Sequence, residues 1–200
     1  LDAKLREQMQ LELIKLQKEI GITFVYVTHD QGEALALSHR VAVMNRGSIA
    51  QVDEPSHLYG FPNSRFVADF IGQCNLLAGT VKQLLDDRVL VELEGLGSVK
   101  LMKPQGISID VGSTCTLTLR PEKIHISSSL SQDEVEAHFK GVVHDTLYLG
   151  DVTVYKVELI NGMLVEALLA NSSPGRARFF EVGDQVEVAW HSDAGHLVMD

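Results

Sequence analysis

The chain has 200 residues, of which 45% are hydrophobic and 22% are charged, and its formal net charge is −10. This length is sufficient for one large domain or two small domains, each with its own hydrophobic core. No apolar run approaches the roughly 18 to 20 residues that a membrane-spanning helix needs, and the acidic charge argues against nucleic acid as a partner.

The first predicted elements are a helix, a buried strand and a second helix. An apolar stripe at helical spacing predicts a first helix that ends at Gly21 and buries this stripe in the core. The stripe consists of Leu5, Met9, Leu13, Leu16 and Ile20. Residues 22–27 are mainly β-branched and aromatic, which predicts a strand that is buried on both faces of a parallel sheet.

His29 follows this predicted strand and directly precedes the second helix. Ligands of parallel sheets lie beyond the carboxyl ends of the strands, and Asp30 and Glu33 have the spacing of a capping box. We therefore expect His29 on a short, fixed turn that suits contact with a phosphate group. The same position is compatible with an ordinary loop histidine, and Asp2 is compatible with a simple amino-terminal cap of the first helix.

A hairpin and two short helices are predicted next. Residues 41–44 and 49–52 flank the turn-rich sequence Asn-Arg-Gly-Ser, which is typical of a hairpin connection. Pro55 and Pro62 predict the starts of two short helices. Their apolar residues are expected to pack rather than to react.

After Gly72 the apolar period changes from helical to two, so we expect a second, all-β domain over residues 73–200. Two parts of this region repeat. Residues 111–117 and 182–188 both begin with Val-Gly, and residues 79–81 echo residues 141–143. Short strands with a repeated turn predict small OB-like barrels that share a core. Trp190 and Tyr155 are expected in that core rather than against a ligand.

Residues 73–200 contain no predicted catalytic constellation and no predicted metal site, because their histidines lack metal-ligand spacing. Arg120 and Glu122 flank a proline after a predicted strand, which suggests a structural ion pair. Ten basic and eighteen acidic side chains make this region acidic. Such a surface would attract a cation such as a polyamine, and it is also what simple solubility requires. Cys74 and Cys115 form no CxxC pair, which favours reduced thiols in a cytosolic protein.

Residues 1–72 resemble the end of the nucleotide-binding subunit of ATP-binding cassette importers, including the branch for spermidine/putrescine, sugar and iron uptake. The matching sequence includes FVYVTHDQGEALALSHRVAVMNRGSIAQVDEPSHLYGFPNSRFVADFIG. Three later segments, NLLAGTV, LRPEKI and YLGDVTVYKVEL, resemble the tandem barrel called TOBE that is appended to such ATPases. The resemblance implies an α/β carboxyl-terminal piece of an ATPase domain at 1–72 and an OB-like regulatory β domain at 73–200.

By this resemblance His29 is the switch histidine that contacts the γ-phosphate, and Asp2 closes the D-loop that crosses to a second subunit. ATP and Mg²⁺ are the implied cofactors. A second copy of the subunit and membrane permease subunits are the implied partners, at the cytoplasmic face of the plasma membrane. The chain contains neither G-x-x-x-x-G-K-[ST] nor an LSGGQ-like signature, and the catalytic glutamate of the family would precede Leu1. We therefore expect this chain alone to be inactive toward ATP.

The segment FVADFIGQCNLLAGTV, which contains Asn75, resembles the spermidine/putrescine branch more closely than the maltose branch. Polyamine import is therefore the expected function of the intact subunit. Iron, sugar or phosphonate uptake are the alternatives within the family. A non-catalytic OB-like module that senses a small molecule is the alternative from another class, and a P-loop encoded upstream would discriminate between the two classes.

Overall fold

The computed structural model describes residues 3–104, 106–129, 137–171 and 179–199. The four α-helices of the described ranges lie in the first part of the chain, and a short 3-10 helix spans Pro121–Lys123. The α-helices are α1 (Ala3–Ile20), α2 (Gln31–Leu37), α3 (Pro55–Gly60) and α4 (Arg65–Phe70). No helix in the described ranges combines the length and the apolar character that crossing a membrane requires.

The predicted hairpin is present as β1 (Val41–Asn45) and β2 (Ser48–Asp53). Arg46 and Gly47 form its two-residue connection, with φ values of 49° and 81°. Positive φ at both central residues is the geometry that matches the twist of paired strands. The predicted helix at Pro55 is also present, whereas α4 begins at Arg65 rather than at Pro62, because Ser64 caps it by accepting from the Val67 N–H.

Ten further strands form two antiparallel sheets. The strands are β3 (Asn75–Leu84), β4 (Arg88–Leu93), β5 (Gly97–Met102), β6 (Thr114–Leu119), β7 (His125–Ser127), β8 (Ala137–Tyr148), β9 (Val152–Leu159), β10 (Leu164–Ala170), β11 (Gln185–Trp190) and β12 (Gly195–Met199). The first sheet has the order β12-β6-β3-β4-β5, and the second has the order β7-β11-β8-β9-β10. The two sheets therefore share one topology.

Each sheet takes one edge strand from the other half of the chain. Strand β7 follows β6 in the sequence, yet it pairs with β11 of the second sheet. Strand β12 follows β11, yet it pairs with β6 of the first sheet. This strand exchange ties the two sheets into one unit, and their inner faces form a single hydrophobic core that includes Tyr155 and Trp190, as predicted.

The predicted repeat is visible in matching hydrogen bonds. The Gly112 N–H donates to the Val81 carbonyl at 2.8 Å, and the Gly183 N–H donates to the Val143 carbonyl at the same distance. The register of each sheet shifts beside Val81 and beside Val143. The sequence echo therefore marks the same bulged turn in both sheets.

Two further predictions about residues 1–72 are wrong in this structure. Residues 22–27 form no strand, and Val25 and Val27 are 89% and 90% exposed. A strand requires a neighbour that satisfies its backbone N–H and C=O groups, and the described residues place no strand beside this segment. The segment is therefore unpaired.

The apolar stripe of α1 is likewise not buried. Its five members expose between 38% and 50% of their surface. A helix buries such a stripe only when another layer packs against it, and the described residues contain no sheet next to α1. The molecule is consequently mostly β, and the predicted α/β piece is not present as a sheet with covering helices.

Candidate functional site

The turn that contains His29 lies between the unpaired segment and α2. The His29 side chain is exposed, and within the described part of the chain it makes no hydrogen bond or ion pair. Its imidazole is therefore accessible to an external group. Asp2, the other residue predicted at a nucleotide site, lies outside the described residues.

The backbone on both sides of His29 is held by side chains. Oδ1 of Asp30 accepts from the Glu33 N–H at 3.0 Å and caps α2, while the Asp30 N–H donates to Oγ1 of Thr28 at 2.9 Å. The Glu33 carboxylate accepts from the hydroxyls of Thr28 and Tyr26 at 3.0 and 2.9 Å. The bond to Glu33 holds the pKa of Tyr26 above its ordinary value. The Asp30 cap of the predicted capping box is thus present, whereas Glu33 accepts from two side-chain hydroxyls and not from the Asp30 N–H, which binds Thr28.

Gln31 links this turn to the chain that follows α4. Its Oε1 accepts from the Gly72 N–H at 2.8 Å. Gly72 has φ of 69°, in the left-handed region that glycine adopts without strain. A Cβ at this position would lie 2.9 Å from Cε2 of Tyr59, which is closer than real Cβ contacts. Glycine therefore allows both the backbone conformation and the close approach of the aromatic ring.

Arg120, which directly follows β6, reaches the same region from the β sheets. It is only 6% exposed, and its guanidinium donates to main-chain carbonyls. The acceptors are Tyr59 O at 2.8 and 3.2 Å, Ala68 O at 3.2 Å, Ile71 O at 2.6 Å and Gln73 O at 3.0 Å. Because these carbonyls lie at and just beyond the ends of α3 and α4, the helix dipoles also favour a cation there.

Tyr59 completes this contact between the helices and the sheets. The guanidinium carbon of Arg120 lies 4.0 Å from the centroid of the Tyr59 ring, and the Tyr59 hydroxyl donates to Oε1 of Glu122 at 2.9 Å. Burial, together with this acceptor, raises the pKa of Tyr59 to about 12. The predicted Arg120–Glu122 ion pair is therefore wrong: the two side chains bind different groups of residues 59–73, because the helices offer carbonyls to one and a hydroxyl to the other.

A second contact between the helices and the sheets contains two histidines. His57 Nδ1 lies 2.7 Å from Oδ2 of Asp53, which lowers the pKa of that carboxyl group. The Phe61 ring packs between His57 and His196, at centroid distances of 5.0 and 5.5 Å. Burial lowers the pKa of His196, and the nearby His57 lowers it further. A hydrogen bond to the Pro62 carbonyl acts in the opposite direction but is outweighed.

His29 and Arg120 can be singled out from the sequence, whereas the connection between them cannot. Gln31 has no distinctive spacing, and its acceptor role depends on Gly72, which lies 41 residues later. The positive φ of Gly72 could have been suspected from its place between a short helix and a strand. Nothing local in the sequence identifies Tyr59 as the partner of Arg120.

Comparison with known domains identifies part of the β region. Residues 117–198 match the model of the TOBE domain. A solved structure, described as the cytoplasmic molybdate-binding protein ModG with molybdate bound, superposes with a TM-score of 0.55 at 12% sequence identity. The match covers 63% of this chain and 96% of ModG. The superposed part of this chain therefore has the fold of ModG, in agreement with the predicted OB-like tandem barrel.

Curated relatives are similar over 99% or more of the 200-residue sequence. A protein of Pseudomonas aeruginosa named spermidine/putrescine import ATP-binding protein PotA 2 is 63% identical over 198 residues, which is 99% of this chain and 54% of that protein. A PotA of Chromobacterium violaceum is 58% identical over 200 residues, covering 55% of its length. A PotA of Thermobifida fusca is 40% identical over 198 residues. The chain thus spans about half the length of the curated relatives it matches.

Proposed function

We propose that this chain forms the carboxyl-terminal part of the ATP-hydrolysing subunit of an ATP-binding cassette importer for spermidine and putrescine. The observation that supports this most directly is the 63% identity, across 99% of the chain, to a protein named for spermidine/putrescine import and ATP binding. In this proposal residues 1–72 end the ATPase domain, and residues 73–200 form the regulatory β domain.

The exposed apolar surface of α1 and residues 22–27 supports this assignment. Isolated exposed apolar residues are common, but a contiguous apolar surface usually has a partner. Here a helix stripe and the β-branched segment that follows it in the sequence are both exposed. We propose that this surface packs against the part of the ATPase domain that these 200 residues do not contain, and that residues 22–27 pair there as a strand.

ATP and Mg²⁺ are proposed as the cofactors of the intact subunit. Binding of the phosphates in such ATPases requires a glycine-rich loop of backbone amides and a lysine, and no G-x-x-x-x-G-K-[ST] occurs in this sequence. Of the described residues, His29 is the one that we assign to the nucleotide. Its exposed imidazole and its fixed turn fit a group that orients the γ-phosphate and the attacking water, which is a task of alignment and charge stabilisation.

The partners follow from the same assignment. Asp2 would contact the second copy of the subunit across the two nucleotide sites, and permease subunits would hold the dimer at the cytoplasmic face of the plasma membrane. The β domain would regulate the subunit and contribute to its dimerisation. The intact subunit would then couple hydrolysis of ATP to polyamine import.

The test is His29→Ala in the intact subunit, with the preceding half restored from its own reading frame. We expect ATP hydrolysis to fall by about a hundredfold, on the scale of losing a preorganised charge-stabilising contact, while nucleotide affinity stays nearly unchanged. His39→Ala is the matched control, because His39 is exposed beyond the end of α2. Uptake of radiolabelled spermidine and putrescine, and of iron and sugars, in cells with either variant reports on the cargo.

The outcomes separate activity from cargo. Hydrolysis within a fewfold of the unchanged subunit would show that His29 is an ordinary loop residue. Lost hydrolysis with unchanged polyamine uptake, beside lost iron or sugar uptake, would contradict the polyamine assignment and keep the ATPase assignment.

A further inference from the structure

Residues Ile71, Gly72 and Gln73, here named the coupling segment, are held from two sides. From the helical side, Gln31 accepts the Gly72 N–H at 2.8 Å. From the β side, Arg120 donates to the carbonyls of Ile71 and Gln73 at 2.6 and 3.0 Å. The same three residues therefore bind both to the helix that follows His29 and to the corner that follows β6.

The contact on the helical side is short and rigid. Gln31 is the first residue of α2 and lies two positions after His29, with the capping residue Asp30 between them. The Asp30 and Thr28 bonds leave little freedom between the helix start and the histidine. A displacement of Gln31 must therefore move the His29 backbone as well.

The contact on the β side is equally well anchored. Arg120 follows β6, which pairs with β3 on one edge and with β12 on the other. Its guanidinium is buried, and it also packs on the Tyr59 ring. Because Gly72 has no Cβ, the Tyr59 ring and the Arg120 guanidinium can approach the place that a Cβ would occupy. A rotation of the sheets would thus be transmitted to the coupling segment.

We infer that Gln31 is a positioning residue: through the coupling segment it fixes the turn of His29 relative to the β domain, so that the β domain controls the alignment of that histidine. This inference rests on the proposed function only for the role of His29. The physical link itself is a property of the described residues and is measurable without any nucleotide.

The link is tested by hydrogen–deuterium exchange in the intact subunit without nucleotide. Gln31→Met keeps the length of the side chain and removes the acceptor, so we expect about fivefold faster exchange in peptides covering residues 66–74 and 28–36, as for loss of one neutral hydrogen bond. Gln31→Glu retains an acceptor oxygen and should preserve protection of the Gly72 amide. Gln8→Met, on the exposed side of α1, is the matched control and should change neither peptide.

Arg120→Lys tests transmission from the other side. It should accelerate exchange in residues 28–36 when Gln31 is present and add nothing there in the Gln31→Met background, because the link is then already open. Unchanged exchange in residues 28–36 in the Arg120→Lys variant, or equal acceleration in both backgrounds, would overturn the inference.

Hydrolysis measurements then connect the link to His29. Gln31→Met should lower kcat by about fivefold and leave the KM for ATP within about twofold of the unchanged subunit. Gln31→Glu should keep the kcat of the unchanged subunit. Full kcat in Gln31→Met beside a strong His29→Ala defect would overturn the positioning role. If the unchanged subunit hydrolyses no ATP, the proposed function fails, and the exchange data alone decide whether the link exists.

Discussion

Arg120 is a buried cation whose described partners are carbonyl oxygens and an aromatic ring. A buried charge is tolerated only when it is paired or fully hydrogen-bonded, and this guanidinium meets the condition with four main-chain carbonyls. A lysine offers a single ammonium group in place of the planar fork. The geometry therefore requires arginine. The carbonyls that bind its guanidinium cannot be identified from the sequence alone.

We predict that Arg120→Met lowers the free energy of unfolding by about 2–4 kcal/mol, because it leaves buried carbonyls without donors. Urea unfolding followed by tryptophan fluorescence measures this, since Trp190 is fully buried. Arg65→Met, at an exposed arginine in the first turn of α4, is the control and should cost less than about 0.5 kcal/mol. Equal effects of the two substitutions would show that the carbonyl contacts contribute little.

The sequence predicted those elements whose signals are local. The hairpin of β1 and β2, the cap of α2 and the repeated turn at Gly112 and Gly183 all depend on residues close in sequence or on an internal echo. The strand predicted at residues 22–27 is absent because a strand needs a neighbouring strand, and the described residues place none beside this segment. The partners of Arg120 could not be predicted either, since Tyr59 lies 61 residues away.

The ring contact between Phe61, which follows α3, and His196 of β12 involves a histidine whose neutral form is favoured in the folded chain. His196 is partly buried beside Phe61, with His57 nearby, and both burial and His57 lower its pKa from the ordinary value of 6.5. As the pH falls below that value, the unfolded chain binds a proton that the folded chain resists. This contribution to stability is therefore complete above about pH 6.5 and is lost as the pH falls toward the lower folded pKa.

We therefore predict that the urea midpoint falls between about pH 7.5 and about pH 5.5, and that His196→Gln flattens this dependence. His144→Gln, at an exposed position of β8, should keep the slope of the unchanged protein. The lowered pKa of Asp53 acts in a different window, because its contribution is lost only below its ordinary value of 3.8. An unchanged slope in His196→Gln would assign the pH dependence to other groups.

At the scale of the whole molecule, the two sheets have their own core and their own repeat. We predict that residues 73–200 fold alone, with a strand-type circular dichroism spectrum and a cooperative melt. Arg120 loses three of its four carbonyl partners in that fragment and becomes hydrated. Arg120→Met should then cost under about 1 kcal/mol in the fragment, against the larger cost in the full chain.

A helical or disordered spectrum of the fragment would contradict the proposed boundary between residues 72 and 73. A cost of Arg120→Met as large in the fragment as in the full chain would contradict the role of the helical carbonyls. The two readouts are independent, because the first concerns the sheets and the second concerns their contact with α3 and α4.

The strand exchange delays completion of the first sheet during synthesis. Thr118 of β6 and its partner His196 of β12 are 78 residues apart, which corresponds to about 4 to 16 s of translation. Until residues 195–199 emerge from the ribosome, β6 has an edge with free hydrogen-bonding groups, and such edges are sites of aggregation. That edge of β6 therefore stays unpaired until β12, which lies near the end of the described chain, has been synthesised. A stop codon just before β12 would accordingly damage the sheet that was translated first.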